Sequence, residues 1–349
     1  MSAVPPPGLV QPHAWFVACT SRELGDRPRA VTLQGRPLVL FRGTDRAPVA
    51  LLDRCPHRNV PLSAGRVRAR DGRRELECAY HGWRFDEAGQ CTAVPGLLHF
   101  EPLPSRCVER HATRELDGLV WVWASANVTP TDEPFRFPHL ETPGYTTVRR
   151  SFVVEASLHA ALENTLDVPH TAFLHGGLFR TDEKQNVIDV VVRRAARHAE
   201  AEFLGEPAPR GLAGRLLAPG GGVVTHVDRF LLPSIAQVEY RLGEASHLVA
   251  STAFTPVSDD ETRVYAVVTF RLPLPGWLVK PFAVPVASRI FAQDRVMLAA
   301  QRRQVRRFGG ERYTSTELDV LGPQMTRLIK AAASGESAEP HEHRLQMRT

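Results

Sequence analysis

Two short segments of the chain each carry one cysteine and one histidine at a spacing typical of metal ligands. The first is Cys55-x-His57 and the second is Cys78-x-x-His81, with twenty residues between the two pairs. Two thiolates suit one iron of a [2Fe-2S] cluster, and two neutral imidazoles on the other iron raise its reduction potential. We therefore predict that these four side chains hold a [2Fe-2S] cluster.

The same four side chains could instead hold a zinc ion. Zinc binds two cysteines and two histidines in tetrahedral sites. In the usual order of a zinc finger, however, like ligands are paired locally, whereas each pair here contains one cysteine and one histidine. The order favours the cluster and leaves a zinc-binding interaction module as an alternative.

The residues that follow both pairs are similar to those of a known family. The sequence Pro-Leu-Ser follows the first pair at 61–63, and Gly-Trp-Arg-Phe-Asp follows the second at 82–86. Both closely resemble the Rieske domains of bacterial ring-hydroxylating and demethylating oxygenases. The resemblance implies an N-terminal all-β domain that carries the cluster.

The stretch between the two pairs is longer and more basic than is usual in that family. It contains five arginines, namely Arg66, Arg68, Arg70, Arg73 and Arg74. Asp71-Gly72 at its centre is typical of a hairpin turn. Two interpretations are open, a solvated hairpin tip and a docking surface for an acidic electron donor.

A second motif separates the chain from a protein that only carries electrons. Asn164, Asp167, His170 and His175 resemble the Asn-x₂-Asp-x₂-His-x₄-His motif of the same oxygenases. The resemblance assigns a mononuclear Fe(II) to the two histidines, which lie in a helix predicted over residues 160–175. A proline just before the first histidine gives this helix a reason to bend, so that both imidazoles can face one ion.

The third iron ligand must be a carboxylate from a distant part of the chain. Two imidazoles and one carboxylate form the facial triad of non-haem iron oxygenases, which leaves positions open for O₂ and substrate. The segment 291–301 resembles a late helix of the family, and we take Asp294 as the ligand. The match is partial because Gln293 stands where the family often has Glu, and Asp319 and Glu311 are alternatives.

Asp167 lies three residues before His170, and therefore on the same face of a helix. In the family the corresponding acid hydrogen-bonds an iron-ligating histidine and a Rieske histidine of the neighbouring subunit. The resemblance thus assigns a catalytic role to Asp167 and to Asn164 of the same motif, and it implies a ring of subunits, expected to be a homotrimer. The alternative is an ordinary acid on a helix surface.

The distribution of apolar residues predicts two domains and an α+β fold. Short β-rich runs extend to about residue 125, and a proline-rich connector follows. We assign residues 1–126 to the Rieske domain and residues 127–349 to the catalytic domain. The second domain shows alternating runs that predict one antiparallel sheet with covering helices.

Two further helices are predicted in the second domain, at about 286–308 and within 315–333. The polar tail at 336–349 is expected to be frayed. Apolar runs at 216–217 and 272–279 suggest a hydrophobic pocket, although ordinary core packing explains them equally well.

Composition excludes several other classes of protein. The 349 residues are 43% hydrophobic and 23% charged, and they contain neither an apolar run of membrane-spanning length nor a secretory signal. We therefore expect a cytoplasmic protein. Five cysteines are an odd number and argue against a disulfide framework, and the arginine-based net charge of +5 lacks the interleaved aromatics of a nucleic-acid surface.

The expected function is oxidation of a small hydrophobic organic substrate with O₂, by hydroxylation, demethylation or oxidative ring closure. The chain has no dinucleotide fingerprint, so NAD(P)H electrons are expected to arrive through a separate reductase, with or without a ferredoxin. The single-chain layout resembles monooxygenases more than two-subunit dioxygenases. A Rieske electron-transfer protein without mononuclear iron is the other alternative.

Overall fold

The computed structural model describes residues 11–70, 72–175, 186–206 and 224–348. They belong to two compact units, residues 1–136 and residues 137–349. The first unit is built from strands, and the second combines strands with helices, which confirms the α+β class. Residues 127–136 cluster with the first unit, and a domain boundary at residue 127 stays a prediction.

The first unit contains two antiparallel sheets. The strands of the larger sheet are β1 (Trp15–Thr20), β2 (Arg29–Leu33), β3 (Arg36–Arg42), β4 (Pro48–Leu52), β9 (Arg110–Leu116) and β10 (Leu119–Ala126). The strands of the smaller sheet are β5 (Arg66–Arg70), β6 (Arg73–Glu77), β7 (Arg84–Phe85) and β8 (Cys91–Ala93). The larger sheet has the order β1-β10-β9-β4-β3-β2, and the smaller one follows the chain.

Strand β3 is buried on both faces because it separates two hydrophobic clusters. Leu38 and Leu40 pack into one cluster, while Val39 and Phe41 point the opposite way into the other. This second cluster also contains both cysteines of the predicted metal ligands. The predicted cluster loops are therefore anchored in the core of the unit.

The second unit is dominated by one eight-stranded antiparallel sheet. Its strands are β11 (Thr146–Val154), β12 (Val187–Arg194), β13 (His198–Leu204), β14 (Val224–Leu231), β15 (Ile235–Leu242), β16 (Ser246–Ser258), β17 (Glu261–Arg271) and β18 (His341–Arg348). Their order is β11-β17-β16-β15-β14-β13-β12-β18. This arrangement confirms the expected antiparallel sheet.

The described helices of this unit are α1 (Leu158–Leu166), α2 (His170–Leu174), α3 (Gly276–Arg307) and α4 (Gly322–Ala333). Helix α1 packs across strands β14 to β17, and α3 contacts β11 and α1. None of the helices in the described parts of the chain combines the length and hydropathy that crossing a bilayer requires. Together with α4, which contacts β13, the helices cover the strands from β11 to β13 in the order of the sheet.

The single helix predicted over 160–175 is wrong, because the chain forms α1 and α2 with a break between them. Ser157 caps the start of α1 by accepting the Ala160 N–H at 3.2 Å. Asp167 ends the helix in an extended conformation, with φ −87° and ψ 112°. Pro169 has no N–H and restricts the residue before it, so helical hydrogen bonding cannot pass through this point.

The prediction of a frayed tail at 336–349 is also wrong. Strand β18 pairs with β12 over its whole length, and Met347 on its inner face is only 3% exposed. Strand β14 was not predicted, since polar residues occupy several of its buried positions. Helix α3 begins at Gly276, ten residues before the predicted start. The prediction was too late because Pro281 and Pro285 lie inside the helix, and proline usually interrupts a helical pattern.

Replacing Met347 with alanine should lower the free energy of unfolding by about 2–4 kcal/mol, because it leaves a cavity beneath the edge strand. The matched control is Arg344→Ala on the exposed face of β18, which should change stability little. Urea unfolding followed by circular dichroism gives both values. Equal stabilities for the two variants would show that β18 is not docked.

Candidate metal centres

The two predicted cluster loops, 55–60 and 78–83, have the same backbone hydrogen-bond pattern. In each loop the cysteine N–H donates to the carbonyl five residues later, and the N–H four residues later donates back, at 2.8–3.1 Å. The residue that donates back has a left-handed conformation, Asn59 with φ 60° and Gly82 with φ 69°. Asparagine and glycine adopt this conformation more readily than other residues. The sequence therefore builds two similar turns around the cysteines.

Both cysteines are buried, Cys55 at 1% exposure and Cys78 at 3%. Burial raises the pKa of the Cys55 thiol to about 11, and the adjacent Cys78 adds to this increase. In the absence of a cation the Cys55 thiol therefore favours the protonated form. A bound metal supplies the positive charge that thiolates need in such a place.

The two histidines of the loops lie next to each other. The ring centroids of His57 and His81 are 4.5 Å apart, and Trp83 stacks on His57 at 4.8 Å. Nδ1 of His57 is a buried nitrogen with no hydrogen-bond partner in the described structure. Burial and the neighbouring His81 lower the pKa of His57, which favours the neutral imidazole that binds metals. This donor set fits a [2Fe-2S] cluster.

Two arginines of the hairpin form ion pairs with Glu77, the residue before the second loop. Glu77, which precedes Cys78, forms ion pairs with Arg66 at 2.6 Å and Arg68 at 3.1 Å. Burial works against ionisation of Glu77, but these arginines lower its pKa overall. Strands β5 and β6 form the expected hairpin around Gly72, and Asp71 lies outside the described residues. Arg66 and Arg68 are thus neutralised in part by an acid of the same unit. The docking surface for an acidic electron donor stays a prediction.

The second candidate centre lies in the second unit, where α2 meets α3. His170 begins α2, His175 follows its last residue, and Asp294 lies on α3. One potential ligand atom from each of the three falls within 4.8 Å of the others. Nε2 of His175 is 3.1 Å from Asp294 Oδ1, and Nε2 of His170 is 3.7 Å from the same oxygen. Of the alternatives, Glu311 is exposed and Asp319 is half-buried, and neither belongs to such a group in the described structure.

The charges at this centre suit a cation. Burial raises the pKa of Asp294, although His175 and His170 oppose the shift. Burial lowers the pKa of His170, but the bond and charge of Asp167 and the charge of Asp294 raise it overall. When no metal is bound, Asp294 and His170 therefore both keep a proton more readily than usual. A divalent cation takes the place of those protons.

Two acceptors orient the histidine rings. Nδ1 of His170 lies 2.5 Å from the Asp167 carbonyl, and Nδ1 of His175 lies 3.0 Å from Gln293 Oε1. Because these oxygens accept, each Nδ1 carries the proton and each Nε2 keeps its lone pair for a metal. The sequence analysis did not predict this role of Gln293, although the presence of Gln where the family often has Glu could have indicated it.

The two remaining motif residues also contact this centre. The carboxylate of Asp167 accepts the backbone N–H of His170 at 3.1 Å, which ties the end of α1 to the start of α2. Asn164 donates to Asp294 Oδ1 over a long 3.5 Å contact. The structure thus brings together every residue that the second motif and the late helix suggested.

A cavity of about 340 Å³ opens beside these ligands. Its wall is mostly apolar and comes from helices α1 to α3 and strands β11 and β15 to β17; the aromatic lining residues are Phe152, Tyr240, Phe254 and Phe291. The volume is sufficient for a small organic molecule. The run at 272–279 does not line it, which corrects that expectation, and residues 216–217 lie outside the described part of the chain.

Comparison with known proteins agrees with both centres. Residues 14–104 match the Rieske [2Fe-2S] domain, and residues 154–335 match the vanillate O-demethylase oxygenase C-terminal domain. Methylxanthine N3-demethylase NdmB of Pseudomonas putida is 30% identical over 73% of this chain and 72% of its own length. The vanillate O-demethylase oxygenase subunit of a Pseudomonas strain is 26% identical over 94% of this chain and 96% of its own length.

A solved structure shows the same fold. NdmB of Pseudomonas putida superposes with a TM-score of 0.75 at 24% identity, covering 93% of this chain and 91% of that chain. The C-terminal match alone includes just over half of the residues. The chain therefore belongs to the Rieske non-haem iron oxygenases, as an oxygenase component that uses a [2Fe-2S] cluster, a mononuclear iron and O₂ to oxidise a small organic substrate.

Proposed function

We propose that this oxygenase removes a methyl group from a small organic substrate. The observation that carries the proposal is the convergence of two histidines and one aspartate beside an apolar cavity. The names of the relatives, an N-demethylase and an O-demethylase, support demethylation over ring closure. The proposed ligands are Cys55, His57, Cys78 and His81 for the cluster and His170, His175 and Asp294 for the iron.

When bound, the cluster supplies electrons and the iron supplies O₂ activation. The protein residues contribute position and exclusion of water. His170, His175 and Asp294 would hold the iron, and the cavity that they line would hold the substrate beside it. The apolar wall keeps water from the reacting methyl group, which protects the reaction from side products.

The proposed overall reaction inserts one oxygen atom of O₂ into a methyl C–H bond. The hydroxymethyl group on oxygen or nitrogen then breaks down to formaldehyde and the demethylated product. The second oxygen atom leaves as water, which requires two electrons and two protons. We propose that the electrons come from NAD(P)H through a separate reductase, with or without a ferredoxin, as in other family members. Formaldehyde is therefore a direct readout of turnover.

We further propose that residues 1–126 form the cluster domain and residues 127–349 the iron domain, and that the protein is cytoplasmic. None of the five cysteines, all of which lie in the described part of the chain, forms a disulfide, which is typical of a reducing compartment. A reducing compartment is also where reduced nucleotides for the reductase are found.

We propose a homotrimer in which Asp167 connects the two metal centres of neighbouring subunits. Asp167 holds the first predicted iron ligand through its side chain and its backbone carbonyl. A carboxylate has two oxygens and can bond two partners at once. The second partner in this proposal is the neighbour's copy of His57 or His81, and Asn164 supports the same arrangement from α1.

Cys55→Ser should abolish the visible absorption of the cluster and leave the mononuclear iron site able to bind iron, because the two sites use separate residues. The matched control is Cys107→Ser, whose thiol is partly exposed and bonds to Gln90. Absorption spectra and iron content are measured for both variants. A complete [2Fe-2S] spectrum in Cys55→Ser would refute the ligand assignment.

Asp294→Ala should remove the mononuclear iron and stop formaldehyde formation without changing the spectrum of the cluster. The reason is that two imidazoles alone bind Fe(II) weakly once the only charged ligand is gone. Asp319→Ala tests the alternative carboxylate and should retain full iron and activity. The assignment would be contradicted if these two variants exchanged their behaviour.

Asp167→Ala should keep both metals but lower turnover by roughly ten- to a hundredfold or more, since it removes a partner that orients a metal ligand. The measurement is single-turnover reoxidation of the pre-reduced protein by O₂ and substrate, together with iron content and oligomeric state. Glu155→Ala, an exposed acid on the same unit, is the control. Normal reoxidation in Asp167→Ala with full iron would refute the bridging role.

A further inference from the structure

A buried group of charges around His226 of strand β14 has no role in the metal centres. His226 is 1% exposed, with Nδ1 2.8 Å from Glu206 Oε2 and Nε2 3.0 Å from Asp228 Oδ1. Ionised carboxylates can only accept hydrogen bonds, so both ring nitrogens donate and His226 is an imidazolium. Burial opposes this charge, but the two acids raise the pKa of His226 to about 9. We call these three residues the His226 cluster.

The imidazolium is stacked between two aromatic rings. Phe203 on β13 and Tyr240 on β15 are its direct cross-strand neighbours. Their ring centroids lie 4.4 Å and 4.0 Å from that of His226, with interplanar angles of 18° and 17°. A buried cation is attracted to an aromatic face. The direct contact with the His226 ring therefore fixes the orientation of Tyr240.

Tyr240 connects the His226 cluster with the cavity beside the iron ligands. Its side chain lines the cavity, as does Leu248, its direct neighbour on β16. Side chains on a strand stand roughly perpendicular to the sheet, so the ring rises from the cavity floor with one face against His226. Its hydroxyl is at the far end of the ring. A phenol both donates and accepts, so it can donate to a molecule in the cavity while accepting another bond.

Packing alone does not explain the His226 cluster. Taking three ionised groups out of water is costly, and apolar side chains of similar volume often stabilise a core equally well or better. The neighbouring cross-strand positions on the cavity floor are apolar, with Val238 beside Asp228 and Ala250 beyond it. Charged residues such as the His226 cluster, at the edge of an apolar cavity floor, are expected where a bound ligand must be oriented.

We propose that Tyr240 determines substrate specificity by donating a hydrogen bond to an acceptor atom of an uncharged aromatic substrate, and that the His226 cluster positions Tyr240. This inference rests on the proposed function, because it assigns a substrate class to the same cavity. The cluster contains two carboxylates and one imidazolium, so its net negative charge disfavours an anionic substrate. The rings of Phe152 and Phe291, 5.0 Å apart, supply an apolar wall for a flat molecule.

The substrate class is tested with vanillin, vanillate and caffeine as probes on the fully metal-loaded enzyme. Vanillin and vanillate share a methoxy ring and differ in whether they carry an aldehyde or a carboxylate. Titration calorimetry at mildly acidic pH, where the vanillin phenol is neutral and the vanillate carboxylate is charged, should show that vanillin and caffeine bind and that vanillate binds at least about tenfold more weakly, a difference of roughly 1.4 kcal/mol. Equal or tighter binding of vanillate, or no binding of either neutral probe, would overturn the proposal.

The role of Tyr240 is tested by Tyr240→Phe, which keeps the ring and the stack but removes the hydroxyl. It should weaken vanillin binding roughly three- to tenfold, the effect of one lost hydrogen bond. In the demethylation of vanillin, His226→Gln should raise KM by a similar factor and leave kcat nearly unchanged, because His226 acts only through the position of Tyr240. Unchanged binding in Tyr240→Phe would contradict the proposal.

Phe203→Leu is the matched control, since Phe203 stacks on the other face of His226 and does not line the cavity. It should lower stability without changing vanillin binding. If it weakened binding as much as His226→Gln does, the effect would be general loosening of the sheet, and the positioning role would be refuted. Iron content and formaldehyde formation by the wild type report separately on the proposed function, so the two failures are distinguishable.

Discussion

The second unit depends on two breaks in the helical backbone, one at Asp167–Pro169 before His170 and one at His175, because the two histidines are proposed to face one ion. Residues five positions apart on a regular α-helix point about 140° away from each other, so His170 and His175 could not converge on such a helix. The extended conformation of Asp167 and the missing N–H of Pro169 stop α1 and start the short α2. His175 then lies just past the end of α2, where its ring turns back towards that of His170, 5.2 Å away.

The break at Asp167 also places a group that supports the ring of His170. Ending α1 at Asp167 leaves its carbonyl without a helical partner, and that carbonyl accepts from His170 instead. The long helix α3 then supplies two adjacent side chains with different tasks. Asp294 completes the proposed set of iron ligands, and Gln293 accepts from Nδ1 of His175 and so fixes the tautomer of that ring. The broad sheet beneath these helices provides the rigid floor of the cavity.

The sequence predicted those features that depend on local residue spacing. The two cysteine–histidine pairs, the second motif and the alternating strands were readable because ligands and side-chain direction repeat at fixed intervals. Strand β14 was missed because His226 and Asp228 place charge where a strand pattern expects apolar residues. Strand β18 was missed because only Met347 of its inner face is deeply buried. The cavity and the His226 cluster arise from pairing between distant strands, which no local pattern contains.

We propose that one chain holds a two-iron cluster on Cys55, His57, Cys78 and His81 and a separate mononuclear iron on His170, His175 and Asp294. The most direct measurement is the Mössbauer spectrum of protein produced with ⁵⁷Fe. We predict that two thirds of the iron signal comes from a [2Fe-2S] pair whose two irons differ in their ligands, and one third from a high-spin Fe(II) site with nitrogen and oxygen ligands. A spectrum of the cluster alone from fully iron-loaded protein, or zinc in place of the cluster, would contradict this account.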